Sequence, residues 1–460
     1  MPILASFVLP HPPIIIPEIG KGEEEKIVLT FTSLNKVGEA IALLKPDLII
    51  LSSPHMEGYR DYFSVSSRLH QEGDLSSFGA PDVSFRLSGD EEFVNAFNVE
   101  AHKIGFPAGN ETEMTSLDHG TMVPLYFVNR HYQNYHLVRL ALSGLSLPQH
   151  YEMGQLIQKT VDRLGRKAIF IASGDLSHCQ KETGPYGYRP EGPKYDEQIM
   201  DVLAKGHFGD LFDFDPQFLA KAETCGHDSF IMMAGALDGL KVKPVLLSHE
   251  ATFGVGYGVC EYFVEGKDLK RRFLSQYLKR EKEKVEKEMI KADPYVLFAK
   301  ECLVNYFSFS RPISDLTAIP RVLLDSRAGV FVSLHEFGRL RGCIGTIKPT
   351  KNSIGEEIAT NAVDAAVGDP RFDPVAKEDL AYLSISVDVL SESEPISSKK
   401  DLNPKIYGVI VEKGSRRGLL LPNLDGVDTV DDQIAIAKEK AGIAIEDEVV
   451  LHRFKVVRHV

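Results

Sequence analysis

The chain has 460 residues, 43% hydrophobic and 25% charged, with a formal net charge of −13, so it exceeds the roughly 250–300 residues at which single cores stop growing and should hold more than one domain. The acidic balance repels polyanions, which argues against nucleic acid as a partner, and no run approaches the ~20 apolar residues of a membrane span. Five scattered cysteines without a CxxC pair point to free thiols in a reducing cytoplasm.

The N-terminal MPILASFVLPHPP carries an apolar run but no basic n-region or small-residue cleavage site, so it reads as a first strand rather than a signal peptide. Leu34, Val37, Ile41 and Leu44 then share a helical face, which Pro46 ends before a strand at Leu48–Leu51. Phe93, Phe97, Ala101 and Ile104 mark a second helix, stopped by Gly105. Met153, Leu156, Ile157, Val161 and Leu164 mark a third, stopped by Gly165 and feeding a strand at Ala168–Ala172. A helical run through Phe230, Ile231, Ala234 and Leu237, a strand at Pro244–Leu247 and a closing strand at Phe253–Val264 follow. This alternation predicts an α/β domain over 1–265, an α/β/α sandwich with a mixed, largely parallel sheet.

Residues 266–289 begin a stretch dense in Lys, Arg and Glu that reads as an exposed linker helix with opposite charges at i,i+4 spacing. Beyond it, a helix at Val296–Phe307, a helix at Asp432–Ala441 and strands at Gly329–Leu334, Leu340–Ile347, Leu383–Leu390, Val409–Glu412, Gly418–Leu421 and Val449–Val457 predict a smaller α+β domain over 290–460. In it, Cys343 sits between Gly342 and Gly345, glycines that imply a bulge or a close backbone approach. Cys343 reads as packed rather than reactive, with no His or Asp partner placed beside it by the sequence.

Three histidines in the first domain end strand-like runs: ILASFVLP before His11, LIILSSP before His55 and AIFIASGDLS before His178. Ligands in open α/β sheets bind beyond the carboxyl ends of the strands, so these imidazoles should converge on one crevice. His11 and His55 are the natural metal pair. Two imidazoles and one anionic side chain leave positions open for substrate and oxygen, as in non-haem Fe(II) oxygenases. The third ligand is left open among Glu223, Cys225, His227 and Asp228 in KAETCGHDS, with Glu250 a further option. Asp175 is spaced to orient His178 as a general acid–base group, and His119, beside Asp118, is a second candidate.

LPHPPI, SSPH, DHGTMVPL, SGDLSH and CGHDSFIMMAGAL, in this order, resemble the LigB-type class III extradiol dioxygenases and their Memo-like relatives over residues 1 to about 265. The resemblance implies that His11 and His55 hold the metal, that His178 is catalytic and that His119 is a second active-site histidine. In ring-cleaving members the third ligand is a Glu near the start of the late helix, and in Memo-like members a Cys in a CG pair. This chain reads Glu-Thr-Cys-Gly, so Glu223 and Cys225 both contend. LRGCIGT, GDPRFDPV, SISVDVLSESEPI and GLLLPN resemble the AMMECR family domain over roughly 290–460. The pairing of the two domains resembles a family associated with a radical SAM enzyme, although this chain has no CxxxCxxC motif of its own.

Three functions compete on these grounds. The first is Fe(II)-dependent cleavage of a catechol-like ring, with zinc or another divalent metal as the alternative cofactor. The second keeps the metal but gives it another redox or hydrolytic task, upon a product of a radical SAM partner. The third is a binding or scaffold protein. A homo-oligomer is expected in each case.

Overall fold

The computed structural model describes residues 3–66, 69–110, 116–311, 313, 319–424 and 426–460. Met1 and Pro2 of the expected first strand lie outside the described residues. The chain forms two compact units, Met1–Tyr277 and Leu278–Val460.

The first unit is built on a six-stranded sheet ordered β5-β2-β6-β1-β8-β7, where β1 is Ile3–Leu9, β2 Leu48–Ser53, β5 His136–Ala141, β6 Ala168–Ser173, β7 Leu240–Glu250 and β8 Tyr257–Lys267. The first four strands run parallel, while β8 pairs antiparallel with both β1 and β7. The central strands are buried along their whole length, as expected for a sheet covered on both faces. On one face Phe7, Leu9, Ile49 and Leu51 pack with Leu34, Val37 and Ile41 of α1 (Val28–Leu44). Met122 and Leu125, inside α3 (His119–Asn129), complete that cluster. Glu23–Leu44 is the one described helical stretch long and apolar enough by composition to cross a membrane, but its apolar face is spent on this core.

On the other face α4 (Leu147–Leu164) packs against α6 (His227–Ala236). Gly154 and Gly235 permit the approach: a Cβ on Gly235 would lie 1.9 Å from the Tyr151 carbonyl oxygen. A Ser146–Gln149 capping box opens α4 and left-handed Gly165 closes it.

Several elements depart from the sequence reading. A hairpin, β3 (His70–Leu75) and β4 (Ala80–Ser88), precedes α2 (Glu91–Lys103), and α5 (Glu191–Lys205) follows β6. The expected linker at 266–289 is divided otherwise. Lys267 ends β8, the charged helix α7 is Phe273–Lys291, and the boundary between units falls inside it after Tyr277.

The second unit holds α8 (Pro294–Phe309) and two antiparallel four-stranded sheets. One is ordered β10-β9-β11-β16, from Arg339–Gly345, Gly329–Glu336, Leu383–Leu390 and Val456–His459, and it packs on α8 and α9 (Ile354–Val367). The other is ordered β12-β15-β13-β14, from Glu394–Ile396, Val450–Phe454, Gly408–Lys413 and Arg416–Leu420, with α10 (Val430–Lys440) against it. The run expected as one strand at Val449–Val457 therefore breaks at Lys455 and serves both sheets. On β10, a Cβ on Gly342 would meet the Ala365 carbonyl oxygen at 1.9 Å, which is the expected close approach. Cys343 does have charged neighbours: its N–H donates to Asp369 Oδ2 (2.9 Å), and Arg371, paired with Asp369, donates to its carbonyl.

Candidate metal centre

The order β2-β6-β1 sets the carboxyl ends of three parallel strands side by side, and the site grows from those ends. Leu9, the last residue of β1, pairs with Ser173, the last of β6, and His11 follows after Pro10. His55 follows β2 after Pro54. The two imidazoles meet edge to face, with Nε2 atoms 3.0 Å apart. Cys225, just before α6, brings its Sγ to 3.6 Å from His11 Nε2. The three donor atoms all lie within 4.8 Å of one another.

The tautomer of His11 follows from its surroundings. Its Nδ1 lies 2.9 Å from the Ser173 hydroxyl, which itself lies 2.5 Å from the Gly120 carbonyl. A carbonyl only accepts, so the hydroxyl donates to Gly120 and must accept from Nδ1–H. The Nε2 lone pair then faces His55 and Cys225. His11 is 2% exposed, and burial first, then the charge of His55, push its pKa down to about 3, so its imidazole is neutral at pH 7. Burial first, then Asp175, pushes the Cys225 thiol well up. The Asp175 N–H donates to that sulfur at 3.3 Å, and a cation at this point would ionise the thiol outright. Two imidazoles and one thiol converging from three loops therefore fit a divalent transition metal.

Around these donors stand the other expected residues. His119 is the first residue of α3, its ring centroid 4.0 Å from that of His55 and 5.5 Å from that of His11. Burial first, then His55 and His11, push it down to about 4. Asp118 caps α3 and accepts from the Thr121 N–H and from the Ser53 hydroxyl, which also accepts the His55 N–H. Burial opposes ionisation of Asp118, but those hydrogen bonds and the fully buried Arg139, 3.4 Å away, hold its pKa below the usual range. Neither Ser173, Ser53 nor Arg139 had a sequence signal beyond its position at or within a strand.

His178 is half-buried and its pKa is lowered, by burial first, against the opposing charges of Asp175 and Glu223. Asp175, expected to orient His178, has its Oδ1 engaged otherwise, accepting the His11 backbone N–H at 2.8 Å. The Asp175 charge raises the pKa of His178, and burial raises its own to about 6.

Glu223, one of the two contenders for the third ligand, has its carboxylate engaged elsewhere. It ends the short helix Pro216–Ala222 in the left-handed region (φ 49°), and its carboxylate pairs with Arg189 at 2.7 Å. The remaining alternatives are also engaged away from the donors. His227 meets Tyr195 and the Leu211 carbonyl, Asp228 lies 4.0 Å from His150, and Glu250 accepts from the Thr30 N–H and hydroxyl.

The family model described as the catalytic LigB subunit of aromatic ring-opening dioxygenase matches residues 5–260, and AMMECR1 matches 296–459. A Clostridium acetobutylicum protein, CA_C1420, is 40% identical over an alignment that spans 100% of this chain and 99% of its own. A Thermotoga maritima protein is 49% identical over 173 residues, which cover 37% of this chain and 99% of its own. Among solved structures, the uncharacterized protein PH0010 from Pyrococcus horikoshii is 28% identical with a TM-score of 0.33, over 36% of this chain and 88% of its own. The uncharacterized protein JW3007 from Escherichia coli K12 is 14% identical with a TM-score of 0.40, over 56% of this chain and 99% of its own.

Proposed function

The chain belongs to the LigB family over its first unit and joins it to an AMMECR domain, and on that premise we propose that the first unit is a metal-dependent oxidoreductase holding one divalent metal, iron first and zinc second, at His11, His55 and Cys225. The observation that carries the reading is the convergence of these three donors at adjacent strand ends, with the His11 tautomer set by Ser173. The reaction is the family's own, opening of a catechol-like ring beside its hydroxyls. When bound, the metal supplies Lewis acidity and, as iron, the redox capacity that a reaction with O2 requires.

The chain's own groups handle the protons. His178, neutral at pH 7, takes a proton from a substrate hydroxyl on a ring nitrogen, and the nearby Asp175 charge favours the resulting imidazolium. His119, also neutral, offers a hydrogen bond beside His55.

One observation favours a second reading. The third donor is a thiol, whereas Fe(II) oxygenases of this kind use a carboxylate. Cys225 therefore supports a redox or hydrolytic task without O2; as its setting we propose the product of a radical SAM partner, with the AMMECR domain as the recognition module. Anaerobic loading with Fe(II), then addition of catechol and O2, separates the two. A yellow ring-opened product supports the first. Stoichiometric metal with no oxygen uptake supports the second, and a purified protein that binds no metal overturns both.

A further inference from the structure

Two exposed aromatic rings lie against His119 and His178, and neither belongs to the buried core. Phe78 is 38% exposed and meets His119 edge to face, with centroids 5.3 Å apart. Tyr186 is 54% exposed and lies tilted against His178 at 4.9 Å. Each ring touches a site histidine and still keeps surface open, so each has area left for a ligand.

Each ring is presented by a segment outside the main sheet that is fastened next to the site. Phe78 stands at the tip of the β3–β4 hairpin. That hairpin is pinned to the segment leading into His119, because the Leu117 N–H donates to the Glu72 carbonyl. Gly73 allows the contact, since a Cβ there would lie 2.8 Å from Leu117 Cβ. Tyr186 stands in the loop after His178. This loop is closed by the Gln180–Tyr188 bridge and by the Arg189–Glu223 ion pair, and it is seated on Gly254 through Gly184. Glu223, through its ion pair with Arg189, thus holds the loop that places Tyr186.

We propose that Phe78 and Tyr186 are the recognition residues of this site, selecting a ligand with a flat π face over an aliphatic one of similar polarity. The proposal rests on the function assigned above. Ring faces and edges attract other rings in offset or edge-on geometry, and an aliphatic diol offers no such face. A rigid ring also loses little conformational freedom when held.

The test is calorimetric titration of the zinc-loaded full chain with 4-nitrocatechol and with cis-1,2-cyclohexanediol, with metal content measured on each protein. The native chain should bind 4-nitrocatechol at least tenfold more tightly than the diol. Phe78→Ala and Tyr186→Ala should each weaken 4-nitrocatechol about tenfold, the factor expected for losing a ring contact of ~1.4 kcal/mol, and leave metal content unchanged. Tyr186→Phe, which keeps the ring, should bind like the native chain, whereas Phe78→Leu, apolar but without a π face, should weaken it. Binding within twofold of native in both alanine variants, equal affinity for the diol, or no binding of 4-nitrocatechol by the native chain overturns the proposal. Absence of zinc in the native chain, with ring-dependent binding intact, overturns the metal reading and leaves the aromatic recognition standing.

Discussion

His11 Nδ1 lies 2.9 Å from the Ser173 hydroxyl, two residues from neighbouring strand ends that together decide which imidazole nitrogen is free. Because Ser173 donates to the Gly120 carbonyl, the His11 proton stays on Nδ1. Ser173→Ala should keep the fold and weaken metal binding by about 10–100-fold, the usual effect of losing such a partner. Competition with a coloured chelator reads this directly, and unchanged affinity would remove Ser173 from the account.

Glu223→Gln should retain stoichiometric metal, since its carboxylate faces Arg189. The loop through Tyr186 should loosen instead. Hydrogen exchange over residues 179–189 should quicken while metal content stays at the native value. Loss of metal in this variant would return Glu223 to the ligand set.

His178→Ala should keep the metal and reduce turnover by ~10²-fold or more, as expected when a general acid–base group is removed. Metal analysis and steady-state kinetics on one preparation suffice. Metal lost along with turnover would make His178 a ligand.

Arg139 is fully buried and pairs with Asp118, with Gln71 and the Ser116 carbonyl as further acceptors. Arg139→Met leaves the Asp118 charge short of its partner and should destabilise the first unit by about 3–5 kcal/mol in urea unfolding. Asp118 has a lowered pKa, so its stabilisation is present above the unfolded carboxylate range and is lost as pH falls through the folded value. The variant's deficit should therefore shrink in acid. A deficit below 1 kcal/mol at pH 7 would contradict this.

In the second unit, burial first, then the charge of Asp379, raises Glu336 to about 7. The folded state then holds a proton that the unfolded chain releases, so stability falls as pH rises from about 4.5 to 7. Glu336→Gln should remove this loss and stabilise the second unit by about 3 kcal/mol at pH 8 with little change at pH 4. Equal effects at both pH values would contradict the assignment.

The strand-then-histidine pattern made His11 and His55 legible, because residues just beyond parallel strands must share one edge of the sheet. The third donor was not legible. Glu223 and Cys225 stand two residues apart, and the sequence does not show that one pairs with Arg189 while the other approaches His11. Asp175 was legible as a neighbour of His178, but not its engagement with the His11 amide, which depends on a contact 164 residues apart. The hairpin carrying Phe78 escaped notice because HQEGDL has no β-branched residue. The break at Lys455 escaped because a strand-like run from Val449 to Val457 does not reveal that its two halves join different sheets.

X-ray absorption at the zinc edge of the metal-loaded chain tests the centre most directly. The account predicts one sulfur at about 2.3 Å with two imidazole nitrogens at about 2.0–2.1 Å, and loss of the sulfur shell in Cys225→Ser. A shell of nitrogen and oxygen alone in the native protein would contradict it.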